Sequence, residues 1–365
     1  MKILFAGGGT MGSVSPLVAI YQELKERDAN LEVLWLGTKK GPEKDFLAEY
    51  KIPFKPIICG KWRQYFSLSN LCTPLFVLLG FFQCLFVLRK FKPEIVLTAG
   101  SFVAVPLMYA AWFLRIPRFA HQQDLEIGLA NKLMIKKATI VTVTFSDVID
   151  KLPYKKTFKI SNPVRKEVFL GNRERAAQFF KLDLSVPTIL IMGGGTGAQI
   201  INETTLEILG QLVEKYQIIH LTGAGKGISD EFANYFDRET LKRIEEKYRA
   251  YEFLNKEIFD AYALADLVIS RAGFAALTEF SVLSKAVLLI PIPGHQEFNA
   301  RYFAKFNAVK VLNQKDLNKE TFWQTIEYLM ENSAERATLS RNIIGMIDKD
   351  AAKRYVDLIY KAIEK

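Results

Sequence analysis

Short apolar runs alternate with longer amphipathic stretches along the chain. Runs with strand character fall at 3–5, 32–36, 54–58, 95–98, 118–120, 140–143 and 158–160. A second series follows at 188–192, 218–221, 251–253, 267–270, 286–290 and 309–311. Helical stretches separate most of them, beginning with 17–27 and ending with 355–363. Strands alternating with helices in this way predict an α/β fold with doubly wound parallel sheets. Asn162-Pro163 reads as the linker between two such halves.

The glycine turns carry the first chemistry. Residues 2–6 (KILFA) run into GGGTMGSVSP at 7–16, and 188–192 (TILIM) run into GGGTGA at 193–198. A strand, a glycine turn and a helix N-terminus make an anion site, because the backbone N–H groups and the helix dipole favour negative charge. Two such turns, each heading half a chain, predict two Rossmann-like domains. A third turn, SRAGFAALTE at 270–279, places Glu279 about one and a half turns into a helix, where a carboxylate can hold a ribose diol. PIPGHQEFNA at 291–300 is a rigid loop entering another helix. In parallel sheets ligands collect at the carboxyl ends of the strands. Those ends carry 7–13, Gly100–Ser101 and His121–Asp124.

The most apolar stretch, LCTPLFVLLGFFQCLFVL at 71–88, is almost long enough to span a bilayer. Pro74 and Gln83 interrupt it, a strand follows, and a spanning helix would tear a Rossmann sheet apart. It reads as a crossover helix, either buried or with an exposed apolar face. Lys61, Trp62, Arg63, Tyr65 and Phe66 before it, and Arg89, Lys90 and Lys92 after it, resemble the flanks of a surface that dips into a membrane interface.

Half of the 365 residues are apolar and 24% are charged, so the chain is globular. Its net charge of +10 is unevenly spread. Residues 1–162 hold 22 Lys and Arg against 12 Asp and Glu, leaving 27 of each sign in the rest from totals of 49 and 39. The basic half suits an anionic membrane or a polyanionic substrate. No recognition helix, RRM aromatic motif or zinc finger is visible, so no nucleic-acid partner is expected. The three cysteines have no metal spacing and fit a reducing compartment. The N-terminus enters a strand at once, without the pattern of a signal peptide.

Taken in order, these motifs resemble the MurG family, bacterial transferases that move N-acetylglucosamine from UDP-N-acetylglucosamine to lipid I. The matching pieces are 7–16, 93–106, 116–124, 128–132, 162–165, 193–198, 265–279 and 295–300. The resemblance implies a GT-B architecture, with two Rossmann-like domains facing a cleft: 1–162 plus the C-terminal helix 347–365, and 163–346. It implies a metal-independent inverting transfer to the 4-hydroxyl of N-acetylmuramic acid, forming lipid II, with no cofactor. It also implies a peripheral position at the cytoplasmic face of the plasma membrane.

Residue by residue, the resemblance implies that Arg165, Gly194 and Gly195 meet the donor diphosphate and that Phe253 or Leu254 meets uracil. Ala275, Ala276 and Leu277 then lie at the phosphates, Glu279 at the ribose, and Gln296 and Asn299 at the sugar. Thr10, Met11, Gly12, Gly100 and Ser101 face the acceptor diphosphate. Several of these positions depart from the family. Met11 replaces a glycine, Ser13 a histidine, Ser101 a glycine and Ala276 a threonine, while Gly195 stands at a serine position. His121-Gln122-Gln123-Asp124 replaces His-Glu-Gln-Asn. A serine does not serve as a base unaided, whereas Asp124 puts a carboxylate where the family has an amide, so it is the candidate base or acceptor-orienting group. The alternative is that Asp124 caps the next helix. Other readings are a transferase for another lipid-linked acceptor, a soluble UDP-N-acetylglucosamine epimerase, and a non-catalytic homologue.

Overall fold

Each apolar run forms a strand in the computed structural model, which describes residues 1–60, 69–194, 198–226 and 236–363. The first seven are β1 (Lys2–Ala6), β2 (Glu32–Gly37), β3 (Phe54–Pro56), β4 (Ile95–Thr98), β5 (Arg118–Gln122), β6 (Ile140–Val143) and β7 (Thr157–Lys159). The next six are β8 (Thr188–Met192), β9 (Gln217–Leu221), β10 (Tyr248–Tyr251), β11 (Leu267–Ser270), β12 (Val287–Leu289) and β13 (Lys310–Val311). They pair in parallel in the orders β3-β2-β1-β4-β5-β6-β7 and β10-β9-β8-β11-β12-β13. Strand order reverses direction between β1 and β4, where Ala6 pairs with Thr98, and between β8 and β11, where Met192 pairs with Ser270. Those switch points are where open parallel sheets bind ligands.

Helices cover both faces, so central strands such as β8 are buried throughout rather than alternating. The first series is α1 (Ser15–Arg27), α2 (Glu43–Glu49), α3 (Ser69–Phe91), α4 (Ala104–Phe113) and α5 (Leu129–Ile135). The second is α6 (Arg173–Phe180), α7 (Gln199–Glu207), α8 (Leu209–Lys215), α9 (Arg238–Lys247), α10 (Glu257–Leu264), α11 (Phe274–Val282), α12 (His295–Lys305), α13 (Lys319–Glu331) and α14 (Ser333–Ile343). The last helix, α15 (Ala351–Ile363), buries Ala352, Tyr355, Val356 and Ile359, an i, i+3, i+4, i+7 stripe, and exposes Lys353, Arg354 and Lys361. It joins the core of the first sheet, and Arg27 on α1 meets Asp357 at 2.6 Å.

Two compact units result: Met1–Arg165 with Ile347–Lys365, and Lys166–Met346. The changeover falls after Arg165, three residues later than the linker proline suggested. Asn162 and Val164 are buried against the first sheet, which keeps the linker with that unit.

One further expectation is corrected, and one open alternative is decided. The strand expected at 251–253 ends at Tyr251, because Tyr248–Tyr251 pair with Ile218–Leu221, so Phe253 and Leu254 lie beyond the strand end. Of the two readings of α3, the structure bears out the crossover helix with an exposed apolar face. Cys84, Leu85, Val87 and Leu88 are buried, but Leu71, Leu75, Leu78, Phe82 and Phe86 form an exposed stripe at helical spacing. Gln83 fastens α3 beside β3, donating to Pro56 O (3.3 Å) and accepting from Ile58 N (2.8 Å). Lys61, Trp62, Arg63, Tyr65 and Phe66 lie outside the described residues.

Candidate functional site

At the first switch point the turn after β1 is braced on every side. The Trp35 indole donates to Gly7 O (2.8 Å) and the Gly8 amide donates to Ser13 Oγ (3.2 Å). The Gly9 amide donates to the Glu43 carboxylate at 3.1 Å. Ser101, on the turn after β4, donates to Gly8 O (2.7 Å). The expectation that this turn offers its glycine amides to a ligand phosphate is therefore corrected for Gly8 and Gly9, whose donors are already used. Ser13 is buried as a brace of the turn. Thr10 is exposed, with Met11 and Gly12 half-buried beside it, in the short 3₁₀ turn that leads into α1.

Gly100 and Ser101 both adopt left-handed backbone, with φ of 101° and 83°. That conformation suits glycine and strains serine. The glycine usual in the resembling family has its physical reason here, and the Ser101–Gly8 bond offsets the strain of the replacement.

On β5, His121 is fully buried between Thr142 Oγ1 (2.9 Å) and Asn162 Oδ1 (3.1 Å). Burial pushes its imidazole down to about 4, against the opposing Asn162 bond, so it is neutral and structural. Gln122 donates to the carbonyls of Asp124 (2.7 Å) and Glu126 (3.0 Å), and Gln123 donates to Ala99 O (2.7 Å). Asn131 fixes Gln122 in turn at 2.5 Å. Asp124 is half-buried at the head of this anchored loop. It does not cap the next helix, because α5 begins after Gly128 with no side-chain cap. Arg165, expected with the donor residues, belongs to the first unit, with its guanidinium 5.1 Å from the Phe46 ring centre and an N–H 3.4 Å from the Tyr50 hydroxyl.

At the second switch point Gly194 has φ of 82°, and a Cβ there would meet open space, so the turn's backbone is approachable. Gly195 lies outside the described residues. Opposite it, α11 starts at Phe274 with Ala275 and Ala276 half-exposed in its first turn and Leu277 in the core. Glu279 follows, accepting a hydrogen bond from the Tyr262 hydroxyl at 3.0 Å. Tyr262 is buried on α10, edge-on to Phe280 with ring centres 5.5 Å apart. Gln296 and Asn299 on α12 reach the same place. Gln296 accepts from Ile292 N (3.1 Å), with its amide nitrogen beside Gly273, and Asn299 donates to Ala272 O (3.3 Å). Arg271 donates to Ile290 O (2.9 Å), and burial lowers its guanidinium pKa. Past β10, Phe253 is 58% exposed while Leu254 is buried.

The structure thus gathers Gly194, Ala275, Ala276, Glu279, Gln296 and Asn299 around one switch point. Sequence reasoning missed Glu43, Tyr262 and Arg271. Arg271 sat inside a recognised turn, whereas Glu43 and Tyr262 gain their roles only through contacts made by folding. Among the described residues no three His, Cys, Asp or Glu side chains assemble as a metal site.

Comparison with known proteins accounts for both units. Residues 3–143 match the glycosyltransferase family 28 N-terminal domain and residues 188–355 the family 28 C-terminal domain. A UDP-N-acetylglucosamine–N-acetylmuramyl-(pentapeptide) pyrophosphoryl-undecaprenol N-acetylglucosamine transferase of Bacillus thuringiensis subsp. konkukian is 37% identical over 99% of both chains. A transferase of the same name from Lachnospira eligens is 35% identical over 98% of both. Among solved structures, MurG of Acinetobacter baumannii superposes with a TM-score of 0.73, at 26% identity over 99% of both chains. A UDP-GlcNAc 2-epimerase from Neisseria meningitidis reaches 0.71 at only 15% identity, covering 99% of this chain and 100% of its own, which is a likeness of fold. With both family domains matched in order on two parallel-sheet units of GT-B type, the chain belongs to glycosyltransferase family 28.

Proposed function

We propose that this chain transfers N-acetylglucosamine from UDP-N-acetylglucosamine to the 4-hydroxyl of N-acetylmuramic acid in lipid I, with inversion, giving lipid II. The observation that carries this reading is the 37% identity over 99% of both chains to a transferase of that name. The second unit supplies the donor side. The approachable turn at Gly194 and the N-terminus of α11 suit a diphosphate, and Glu279, steadied by Tyr262, suits a ribose diol. Gln296 and Asn299 are left for the sugar, and Phe253 and Leu254 for uracil. In the reaction the acceptor oxygen bonds to the anomeric carbon, the bond from that carbon to UDP breaks, and the hydroxyl proton passes to a base. Asp124 fills that role in this reading, on the anchored loop of the first unit. The chemistry runs without a divalent metal, so transfer in excess EDTA equals transfer without it.

The acceptor side is the first unit, docked on an anionic membrane at the cytoplasmic face. The stripe on α3 joins Trp112 and Phe113 of α4 in an exposed apolar surface. Lys55 stands 5.9 Å over the Phe86 ring and Lys137 3.7 Å over Trp112, with Arg89 and Lys90 in the last turn of α3. Apolar side chains rimmed by cations suit the interface of an anionic bilayer.

Acceptor-dependent release of UDP tests the function. UDP appears only when UDP-N-acetylglucosamine and lipid I are both present. Conversion of the donor to its 2-epimer without acceptor makes the chain an epimerase, and no turnover in either condition makes it a binding homologue.

A further inference from the structure

The first switch point holds an anion of its own. Glu43, the first residue of α2, has no solvent exposure, and its carboxylate lies inside the turn after β1. One oxygen accepts from the Gly9 amide at 3.1 Å, the other from the amide and hydroxyl of Thr38, both at 2.6 Å. A Cβ at Gly8 would stand 2.2 Å from Oε1, one at Gly41 2.0 Å from Oε2, and one at Gly37 3.0 Å from Oε1. Gly8 and Gly41 therefore clear room for a protein carboxylate rather than for a ligand, while Gly37 chiefly makes way for the Phe54 ring, 2.4 Å from where its Cβ would stand. One amide from the glycine turn and two donors from Thr38, just past β2, converge on the carboxylate, much as N–H and O–H donors converge on a phosphate oxygen in nucleotide sites. The same helix carries Phe46, and Tyr50 follows its last residue; both meet Arg165. One short helix thus fastens the glycine turn at its first residue and Arg165 at its end.

We infer that Glu43 is a positioning residue for transfer. It takes the place of a bound anion in the first glycine turn, closes the Gly9 amide to phosphate while Ser13 takes that of Gly8, and fixes the shape in which Thr10, Met11 and Gly12 meet the acceptor. The acceptor diphosphate is then held by groups other than those glycine amides. The inference rests on reading the first unit as the acceptor side.

The test uses the full-length protein with lipid I and UDP-N-acetylglucosamine varied separately, and UDP binding measured by calorimetry. Glu43→Gln keeps the volume but sets an amide donor against one of the three donors. It is expected to lower kcat/KM for lipid I at least tenfold while the Kd for UDP stays within twofold. Gly41→Ala, whose Cβ collides with the carboxylate, is expected to reproduce that split, and Thr38→Val to show it more weakly. A Glu43→Gln protein with wild-type kcat/KM for lipid I overturns the inference, as does one that loses acceptor use and UDP binding in equal measure. If Glu43→Gln does not fold, Thr38→Val decides: unchanged acceptor kinetics overturn the inference and the split upholds it. Wild-type protein that transfers to no lipid-diphosphate acceptor overturns the acceptor-side reading itself. Wild-type transfer with indifferent variants overturns only the role of Glu43.

Discussion

Replacing Phe82 and Phe86 together with serine isolates the membrane contribution from the fold. These side chains are 59% and 64% exposed, so the folded protein loses little when they go, about 0.5 kcal/mol or less at each surface position. On a bilayer the account buries them. Full burial of a phenylalanine side chain stabilises by roughly 1.5–3 kcal/mol, and the exposed three-fifths of each ring leaves about 1–2 kcal/mol to gain. The pair then contributes about 2–4 kcal/mol, a factor of roughly thirty to several hundred in the partition coefficient. The assay is co-sedimentation with vesicles containing anionic phospholipid, at low and high salt, beside a thermal melt in solution. The expected result is a loss of at least thirtyfold in vesicle binding with an unchanged melt. Salt weakens what remains, because Lys55, Lys137, Arg89 and Lys90 act through screened charge. Binding within threefold of wild type would refute the assignment of this face to the membrane.

Four further outcomes are expected. Tyr262→Phe removes a donor to the Glu279 carboxylate, a charge-assisted bond contributing about 1.5–3 kcal/mol, so KM for UDP-N-acetylglucosamine rises roughly tenfold or more with kcat little changed; the effect disappears in a Glu279→Ala background, and an additive double variant counts against coupling. Asp124→Asn lowers kcat at saturating substrates by about a hundredfold or more, and wild-type turnover removes Asp124 from the mechanism. Ser101→Gly relieves left-handed strain of about 1 kcal/mol while losing a hydrogen bond of similar size, so its melt stays near wild type; Ser101→Ala keeps the strain, loses the bond and melts lower, and the reverse order refutes the accounting. His121 and His220 are buried and neutral, pushed down to about 4 by desolvation. Their unfolded forms protonate near 6.5, so stability is full above that pH and falls as pH drops towards 4, by about 4 kcal/mol for the pair at pH 5; an identical urea midpoint at pH 7 and pH 5 contradicts this.

Much of the architecture was legible because strands buried on both faces write themselves as apolar runs, and because glycine turns at strand ends mark the switch points. The register of β10 was not legible. Tyr248 and Tyr251 look no more strand-like than Phe253, and only pairing with β9 decides where the strand stops. The turns at the second switch point were readable from short local motifs such as 270–279. The state of the first glycine turn was not, since Trp35, Glu43 and Ser101 bond its glycines from 28, 34 and 93 residues along the chain, only after the sheet assembles. The helix α3 shows the same limit, since composition marked it as apolar but only packing shows which stripe faces outward.

The central claim is a transfer, and following the sugar tests it most directly. Purified protein is incubated in EDTA with UDP-N-acetylglucosamine labelled in the sugar and with lipid I, and the lipid extract is analysed. The account predicts label in a disaccharide lipid with a β-1,4 linkage, formed in step with UDP. Label that stays water-soluble while UDP accumulates, or a product of retained configuration, would contradict it.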